Sequence, residues 1–251
     1  MDRLYERPDI YDLAYTEETY KILKEHYMKM FKDCQISSIL DCSFGTGNLT
    51  IVLAEMGYKV SASDISEAML EKGREKALKK GLDIELKQCD FRNLSKNFHD
   101  KYDCVMSTGN SLPYVKNDEL EKVLREMDAL VRDKGYLYFD IRNWDKIIRT
   151  HQRFYFYPPF FKDDIRINLF QIWDHNSDGT ITFNIVYSFE KENKVIQREI
   201  FEEIYNPVSK DFIIKVLDEL GYYDFKIKPY PYIREVELED VDWYCLLARK
   251  K

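Results

Sequence analysis

Hydrophobic positions in this chain fall into two rhythms, and the change between them is the first clue to its organisation. From Glu17 to Phe31, Tyr20, Leu23, Tyr27, Met30 and Phe31 recur at helical spacing after a tyrosine-rich lead-in, which predicts an amphipathic helix covering the main fold. Strand-length apolar runs then alternate with helical patterns. The series runs strand 38–42, helix 48–56, strand 58–63, helix 66–79, strands 83–88 and 102–107, helix 118–131 and strand 136–141. Strands joined by helices in this way predict a parallel sheet covered on both faces.

The rhythm breaks after Ile141. Strand-like runs at 165–173, 180–190 and 195–205 are joined by the turn signals Asn176-Ser177-Asp178-Gly179 and Glu192-Asn193, which predicts an antiparallel, aromatic insertion over residues 143–206. Residues 207–251 return to the first fold. Pro207 is read as opening a helix that ends at Leu220 with Gly221 as its cap, followed by strands near 222–227 and 242–248. The predicted division is therefore residues 1–142 with 207–251, residues 1–35 forming a lid, and the insertion between them.

Composition narrows the function classes. The length of 251 residues fits one domain with a sizeable insertion, and 19 Tyr and 15 Phe load the chain with aromatic surface, most of it in the second half. The five cysteines are odd in number and form no Cys-x-x-Cys pair, so neither a disulfide framework nor a zinc site is expected. Residues 1–6 carry charges where a secretion signal needs an apolar stretch, and no apolar run is long enough for a membrane span, so a cytoplasmic protein without a membrane partner is expected. A formal net charge of −7 argues against nucleic acid as partner, because binding to its backbone depends on neutralising phosphates with Lys and Arg. The sequence is compatible with a homo-oligomer and sets no oligomeric state.

The sharpest chemical signal is the run from Ile39 to Thr50, a strand that enters the turn Gly45-Thr46-Gly47 and opens a helix. Glycines admit a ligand close to the backbone, and the helix start offers free N–H groups. A lone Gly-x-Gly recurs by chance, but here the context agrees. Asp64 with Ile65 follows the next strand, 19 residues after Gly45, where a carboxylate can accept both hydroxyls of a ribose. A helix cap from Ser63, Asp64 or Ser66 is the bland reading of that site. Asp90 follows the third strand, where it can take an adenine amino proton while Phe91 packs on the ring, and Gly109-Asn110-Ser111 follows the fourth. The dinucleotide fingerprint wants Gly or Ala where Thr50 stands, which weakens a pyrophosphate reading.

Asp41, the Gly45-Thr46-Gly47-Asn48 turn, Asp64 and Asp90 together resemble class I S-adenosylmethionine-dependent methyltransferases over about residues 36–141. The resemblance implies a Rossmann-like α/β fold with a mostly parallel seven-stranded sheet. It also implies S-adenosylmethionine (SAM) as cofactor, released as S-adenosylhomocysteine, with the turn facing the methionine part. Phe44 departs from the Cys or Gly that many members carry there.

Methyl transfer from a sulfonium needs alignment and a neutral amine more than a strong base. The sequence accordingly offers no nucleophile–base pair, and His26, His99, His151 and His175 read as surface or structural. It does offer Arg142 after the fifth strand, which can fork onto a carboxylate or pair with Asp140 or Asp145. Gly109-Asn110-Ser111 with Asp140-x-Arg142-Asn143-x-Asp145 resembles the glycine/sarcosine N-methyltransferase family, in which the matching Arg and Asn hold the amino-acid carboxylate. That resemblance extends more loosely to Tyr187, Tyr230 and Tyr244 around the transfer centre, and implies Asn110, Arg142, Tyr187 and Tyr244 as catalytic positions. The family's N-terminal Arg contact to the cofactor carboxylate has no clear counterpart, and Tyr11, Tyr15 or Lys21 can substitute, with Tyr15 taken as the cofactor contact. The alternatives are N-methylation of an amino sugar or another small amine, a nicotinamide oxidoreductase, and a non-catalytic adenosyl-binding module.

Overall fold

The computed structural model describes residues 3–251; Met1 and Asp2, where the reading of the N-terminus begins, lie outside them. In chain order the elements are α1 (Pro8–Tyr11), α2 (Glu17–Met30), β1 (Ser38–Asp41), α3 (Ile51–Glu55), β2 (Lys59–Asp64), α4 (Glu67–Lys79) and β3 (Glu85–Gln88). Then come β4 (Tyr102–Ser107), α5 (Asn117–Asp128), β5 (Val131–Arg142), α6 (Trp144–Thr150), β6 (Phe154–Phe156) and β7 (Phe160–Lys162). The series closes with β8 (Ile165–His175), β9 (Ile181–Lys191), β10 (Lys194–Tyr205), α7 (Lys210–Glu219), β11 (Tyr222–Pro229) and β12 (Trp243–Lys250).

The main sheet has seven strands in the order β3-β2-β1-β4-β5-β12-β11. Strands β1 to β5 pair in parallel, and β12 runs antiparallel to both β5 and β11. Chain order reverses between β1 and β4, so loops from the two halves diverge at their carboxyl ends and open a crevice there. Leu40, Val105 and Leu137 line up across the middle of the sheet and are completely buried, as both-face covering requires. The second sheet is antiparallel, ordered β10-β9-β8-β6 with β7 also on β8. Its inner face, with Phe183, Trp173 and Phe201, packs into the same core as Trp144 of α6.

Several local expectations are corrected. The α5 pattern stops at Asp128, because Val131 pairs with Tyr102 and starts β5; Leu130 and Val131 are buried in either conformation, so their apolar character could not separate helix from strand. Helix α3 is shorter at its start than expected, since Thr50 turns its hydroxyl to Asp41 and Asn48 sends its amide to Asp12. Helix α7 is capped by Ser209, which accepts from the Phe212 N–H at 3.1 Å, leaving Pro207 outside. The segment after Arg142 is helical before it is extended, because the Asn143 side chain accepts the Lys146 N–H at 3.1 Å and caps α6. Helix α2 was placed correctly, and Thr16 and Thr19 close a capping box at its start.

Candidate functional site

Three cavities open at the carboxyl edge of the main sheet, with shared walls. The first, about 450 Å³, is lined by Tyr5, Ser43, Asp64, Ile65, Asp90, Phe91, Ser111 and Tyr114 among others. The second, about 400 Å³, is walled by aromatic residues of the N-terminal segment and both sheets, with Asn110, Asp140 and Arg142 at its base. A narrow space of about 30 Å³ between them includes Tyr11, Gly45, Asp64 and Gly109 in its wall. Tyr5 touches all three, so the cavities form one crevice.

The glycine turn is held from beneath. Asp41 is fully buried and accepts from the Ser43 N–H at 3.0 Å on one oxygen, and from the hydroxyls of Thr108, at 3.0 Å, and Thr50 on the other. Burial pushes its carboxyl up to about 6, against those bonds. Asp41 walls none of the three cavities, and its bonds hold the turn from below. Thr46 and Gly47 also lie off the three cavity walls. The Thr46 hydroxyl donates to Asp12 at 2.6 Å, and a Cβ on Gly47, at φ +78°, would meet the Phe44 ring at 2.6 Å. That contact also accounts for Phe44, whose ring fills the space under both Gly47 and Gly73. Gly45, at φ +56°, does face the narrow space.

Asp64 stands where the first cavity meets the turn. One oxygen accepts the Gly45 N–H at 2.7 Å and the other the Ser66 N–H at 2.9 Å, while Ser66 itself caps α4. The capping reading thus falls to Ser66. Burial raises the Asp64 carboxyl above its usual range, and these backbone bonds oppose the rise. Each oxygen retains a lone pair toward the cavity. Asp90 accepts the Arg92 N–H at 2.8 Å and both Nε and Nη2 of the same guanidinium, whose Nη1 reaches Glu119 at 3.0 Å. Although burial favours its neutral form, the Arg92 bonds hold Asp90 below the usual carboxylate range. Phe91 and the exposed Ile65 lie on the same wall.

Arg142 dominates the second cavity. It is only 3% exposed, and its Nη2 donates to the Tyr157 hydroxyl at 2.8 Å and to Gln171 Oε1 at 3.1 Å. Its buried Nη1 has no partner. The guanidinium carbon sits 4.7 Å from the ring centre of Tyr155, 4.9 Å from Trp173, 5.4 Å from Phe183 and 4.8 Å from Trp243. Among the described residues no carboxylate pairs with it, so the ion pair to Asp140 or Asp145 does not form. Asn110, held at φ +61°, accepts the Arg142 N–H at 3.0 Å and the Trp144 indole at 3.1 Å through its side-chain oxygen.

Tyr187 lies on this wall, buried, with its hydroxyl pushed up by desolvation. Tyr15 also lies here, 3.2 Å from the Tyr11 hydroxyl, on the wall of the second cavity and not of the first. Tyr244 lies in the core while its neighbour Trp243 takes the cavity position, as strand alternation demands. Residues the sequence did not single out include Tyr5, Tyr155, Tyr157, Gln171, Trp173 and Phe183. For those on β8 and β9 the available signal was parity, since inward positions alternate along a strand.

The first cavity matches an adenosine in its chemistry, with an acidic group beside the glycine turn, a second acid and an aromatic ring further along. Among the described residues no His, Cys, Asp and Glu gather as a metal would require, and no helix is long and apolar enough to cross a membrane. Residues 39–135 match the family model described as a methyltransferase domain. A glycine/sarcosine N-methyltransferase of Aphanothece halophytica is 27% identical, over 90% of this chain and 81% of that protein. A solved SAM-dependent methyltransferase from Clostridium acetobutylicum superposes with a TM-score of 0.76 at 21% identity, covering 96% of each chain.

The chain carries a methyltransferase domain.

Its sheet is the class I methyltransferase sheet, and SAM is its cofactor. A further relative of this methyltransferase, the glycine/sarcosine/dimethylglycine N-methyltransferase of Actinopolyspora halophila, is 27% identical over 95% of the chain, which spans 40% of that longer protein.

Proposed function

We propose that this methyltransferase acts on the amine of a small amino acid, glycine or sarcosine. The observation that carries the reading is Arg142: a cation on the wall of the second cavity, 3% exposed, enclosed by four aromatic rings, with its buried Nη1 unpartnered. A buried donor left without an acceptor costs about 1–3 kcal/mol, more when charged, and a substrate carboxylate removes that cost. The aromatic walls suit the N-methyl groups of the product. The names of the relatives from Aphanothece halophytica and Actinopolyspora halophila support the same substrate class.

SAM supplies a methyl group on a sulfonium. In this reading Asp64 accepts the ribose hydroxyls on its free lone pairs, Asp90 and Phe91 hold the adenine, Ile65 flanks it, and Gly45 lets the backbone approach the methionine part. Arg142 grips the substrate carboxylate, Asn110 fixes the Arg142 backbone and the Trp144 ring, and Tyr15 and Tyr187 exclude water around the amine.

A radiomethyl transfer panel over glycine, sarcosine, dimethylglycine and amino sugars tests it. Arg142→Lys keeps the charge and loses the fork, so kcat/KM for glycine falls about tenfold to a hundredfold, the equivalent of a charged hydrogen bond of about 1.5–3 kcal/mol, while S-adenosylhomocysteine still binds. An enzyme that methylates a carboxylate-free amine, ignores glycine and sarcosine, and tolerates Arg142→Ala would overturn the reading.

A further inference from the structure

Two carboxylates are buried beneath this crevice, and they are satisfied differently. Asp41 has partners on both oxygens. Asp140, 1% exposed at the end of β5, accepts the Gly109 N–H at 2.8 Å on Oδ1, and its buried Oδ2 has no partner. Its own carbonyl takes the Asn110 N–H at 3.2 Å, so the residue is fixed from both sides. It lines the second cavity together with Arg142.

The spacing carries chemical information. Asp140 and Arg142 are two apart on one strand, so their Cα atoms are separated by about 6.6 Å and their side chains leave the same face. The two residues that carry a buried, unpartnered carboxylate oxygen and a buried, unpartnered guanidinium nitrogen therefore line one cavity from the same strand face. An α-amino acid presents the complementary pair, an ammonium one carbon away from a carboxylate. Resting on the amino-acid reading above, we propose that Asp140 is a catalytic residue whose Oδ2 receives the substrate ammonium and removes one proton from it before methyl transfer.

In that step one N–H bond breaks, an O–H bond forms on Oδ2, and the electron pair stays on nitrogen, where it is needed for attack on the methyl group. The product departs as an ammonium and the proton stays on Asp140, which restores the neutral acid, so the one proton released per turnover leaves when the substrate is seated. The surroundings suit a carboxyl that exchanges a proton. Tyr15, Tyr27, Tyr138, Tyr230 and Cys245 are the titratable groups facing it from α2, β5, β12 and the loops, with Asp41 the nearest acid. No cation forms an ion pair with it among the described residues. Burial pushes the Asp140 carboxyl up to about 8, with the charge of Asp41 adding to the rise and the Gly109 bond opposing it. The empty site near pH 7 therefore holds a mostly neutral acid, and seating an ammonium on it leaves one shared proton where there were two.

Titration of the S-adenosylhomocysteine complex with glycine or sarcosine at pH 7, in buffers of different ionisation enthalpy, reads that proton directly. The wild type releases close to one proton per site. Asp140→Asn, which keeps an acceptor for the Gly109 N–H, releases none and keeps its S-adenosylhomocysteine affinity. In turnover, wild-type kcat/KM rises with pH and levels off above about 8. The Asn variant depends on free amine in solution, roughly a thousandth of the substrate at pH 7 for a group titrating near 10, so it loses about a hundredfold there and climbs tenfold per pH unit without that plateau. A wild type that releases no proton, an Asn variant with an unchanged pH profile, or one that loses cofactor affinity in step with activity would each overturn the proposal. Should glycine and sarcosine be refused while another amine is turned over, the amino-acid reading fails alone, and proton release with that amine still supports Asp140.

Discussion

At the scale of single residues, the site is decided by which polar atoms keep a free valence. Asp64 supports the glycine turn from a place on the cavity wall, since both its oxygens take backbone N–H groups there. Asp64→Ala should weaken S-adenosylhomocysteine binding by about a hundredfold or more, because two charge-assisted hydrogen bonds at about 1.5–3 kcal/mol each are removed. Calorimetric titration measures it, and a retained circular dichroism spectrum shows that the fold survives. Unchanged affinity would move the ribose contact elsewhere. Asp64 was legible in the sequence because its position follows from strand and turn alone. Asp41 was legible too, but its role was not: whether a carboxylate faces ligand or backbone depends on Thr50 and Thr108, the latter 67 residues away.

At the scale of elements, the N-terminal segment binds both sheets together across the crevice. The Leu4 N–H donates to buried Glu203 of β10 at 3.2 Å, and the Tyr114 hydroxyl joins Tyr5 at 2.9 Å and Tyr205 at 2.6 Å. Asp12 takes three donors on one oxygen: Thr46 at 2.6 Å, Asn48 at 2.8 Å and Lys76 at 2.7 Å. This clasp ties the segment to the glycine turn and to α4. Asp12→Ala leaves Lys76 with its acid gone, and a loss of about 1–3 kcal/mol at that junction is expected. Amide exchange over residues 3–16 should accelerate by about tenfold or more in the variant while the β4 and β5 amides stay protected. Equal exchange in both proteins would show that the clasp does not hold the segment. The sequence predicted the helix of this segment from its periodicity, yet not the clasp, whose partners come from 34 to 64 residues away.

At the scale of the whole molecule, His26, Asp41 and Asp140 set opposing pH dependences in the ligand-free protein. His26 accepts the Tyr232 N–H at 2.7 Å and meets the Tyr138 hydroxyl at 2.8 Å, and burial, aided by Lys226, pushes it down to about 3. The unfolded chain therefore binds the extra proton between about 3 and 6.5, and His26 makes stability rise with pH over that window. Asp41 and Asp140 are raised, so the folded chain binds the extra proton and each makes stability fall with rising pH, from about 4 to 6 for Asp41 and from about 4 to 8 for Asp140. Between about 4 and 6 His26 offsets one of the two carboxyls. Between about 6.5 and 8 Asp140 acts without the other two, and stability should fall by up to about 1.4 kcal/mol per pH unit. Urea unfolding at pH 6.5, 7.2 and 8 measures the slope, and Asp140→Asn should flatten it. A wild-type slope of zero there would place the Asp140 titration elsewhere.

What the sequence determined by itself is the parallel half of the fold and the cofactor edge, because each of those features is local. A strand, a glycine turn, a helix and an acid at the end of the next strand are specified within about thirty residues, and the hydrophobic period fixes their type. The second cavity is the reverse case. Arg142 belongs to β5, Tyr155 to β6, Trp173 to β8, Phe183 to β9 and Trp243 to β12, and their convergence on one guanidinium follows from sheet packing that no window of sequence contains. Tyr244 and Trp243 show the reason most plainly. Adjacent strand residues point to opposite faces, so the choice between core and cavity rests on the pairing of β12 with β5, where Trp243 stands opposite Arg142 and Tyr244 opposite Ile141.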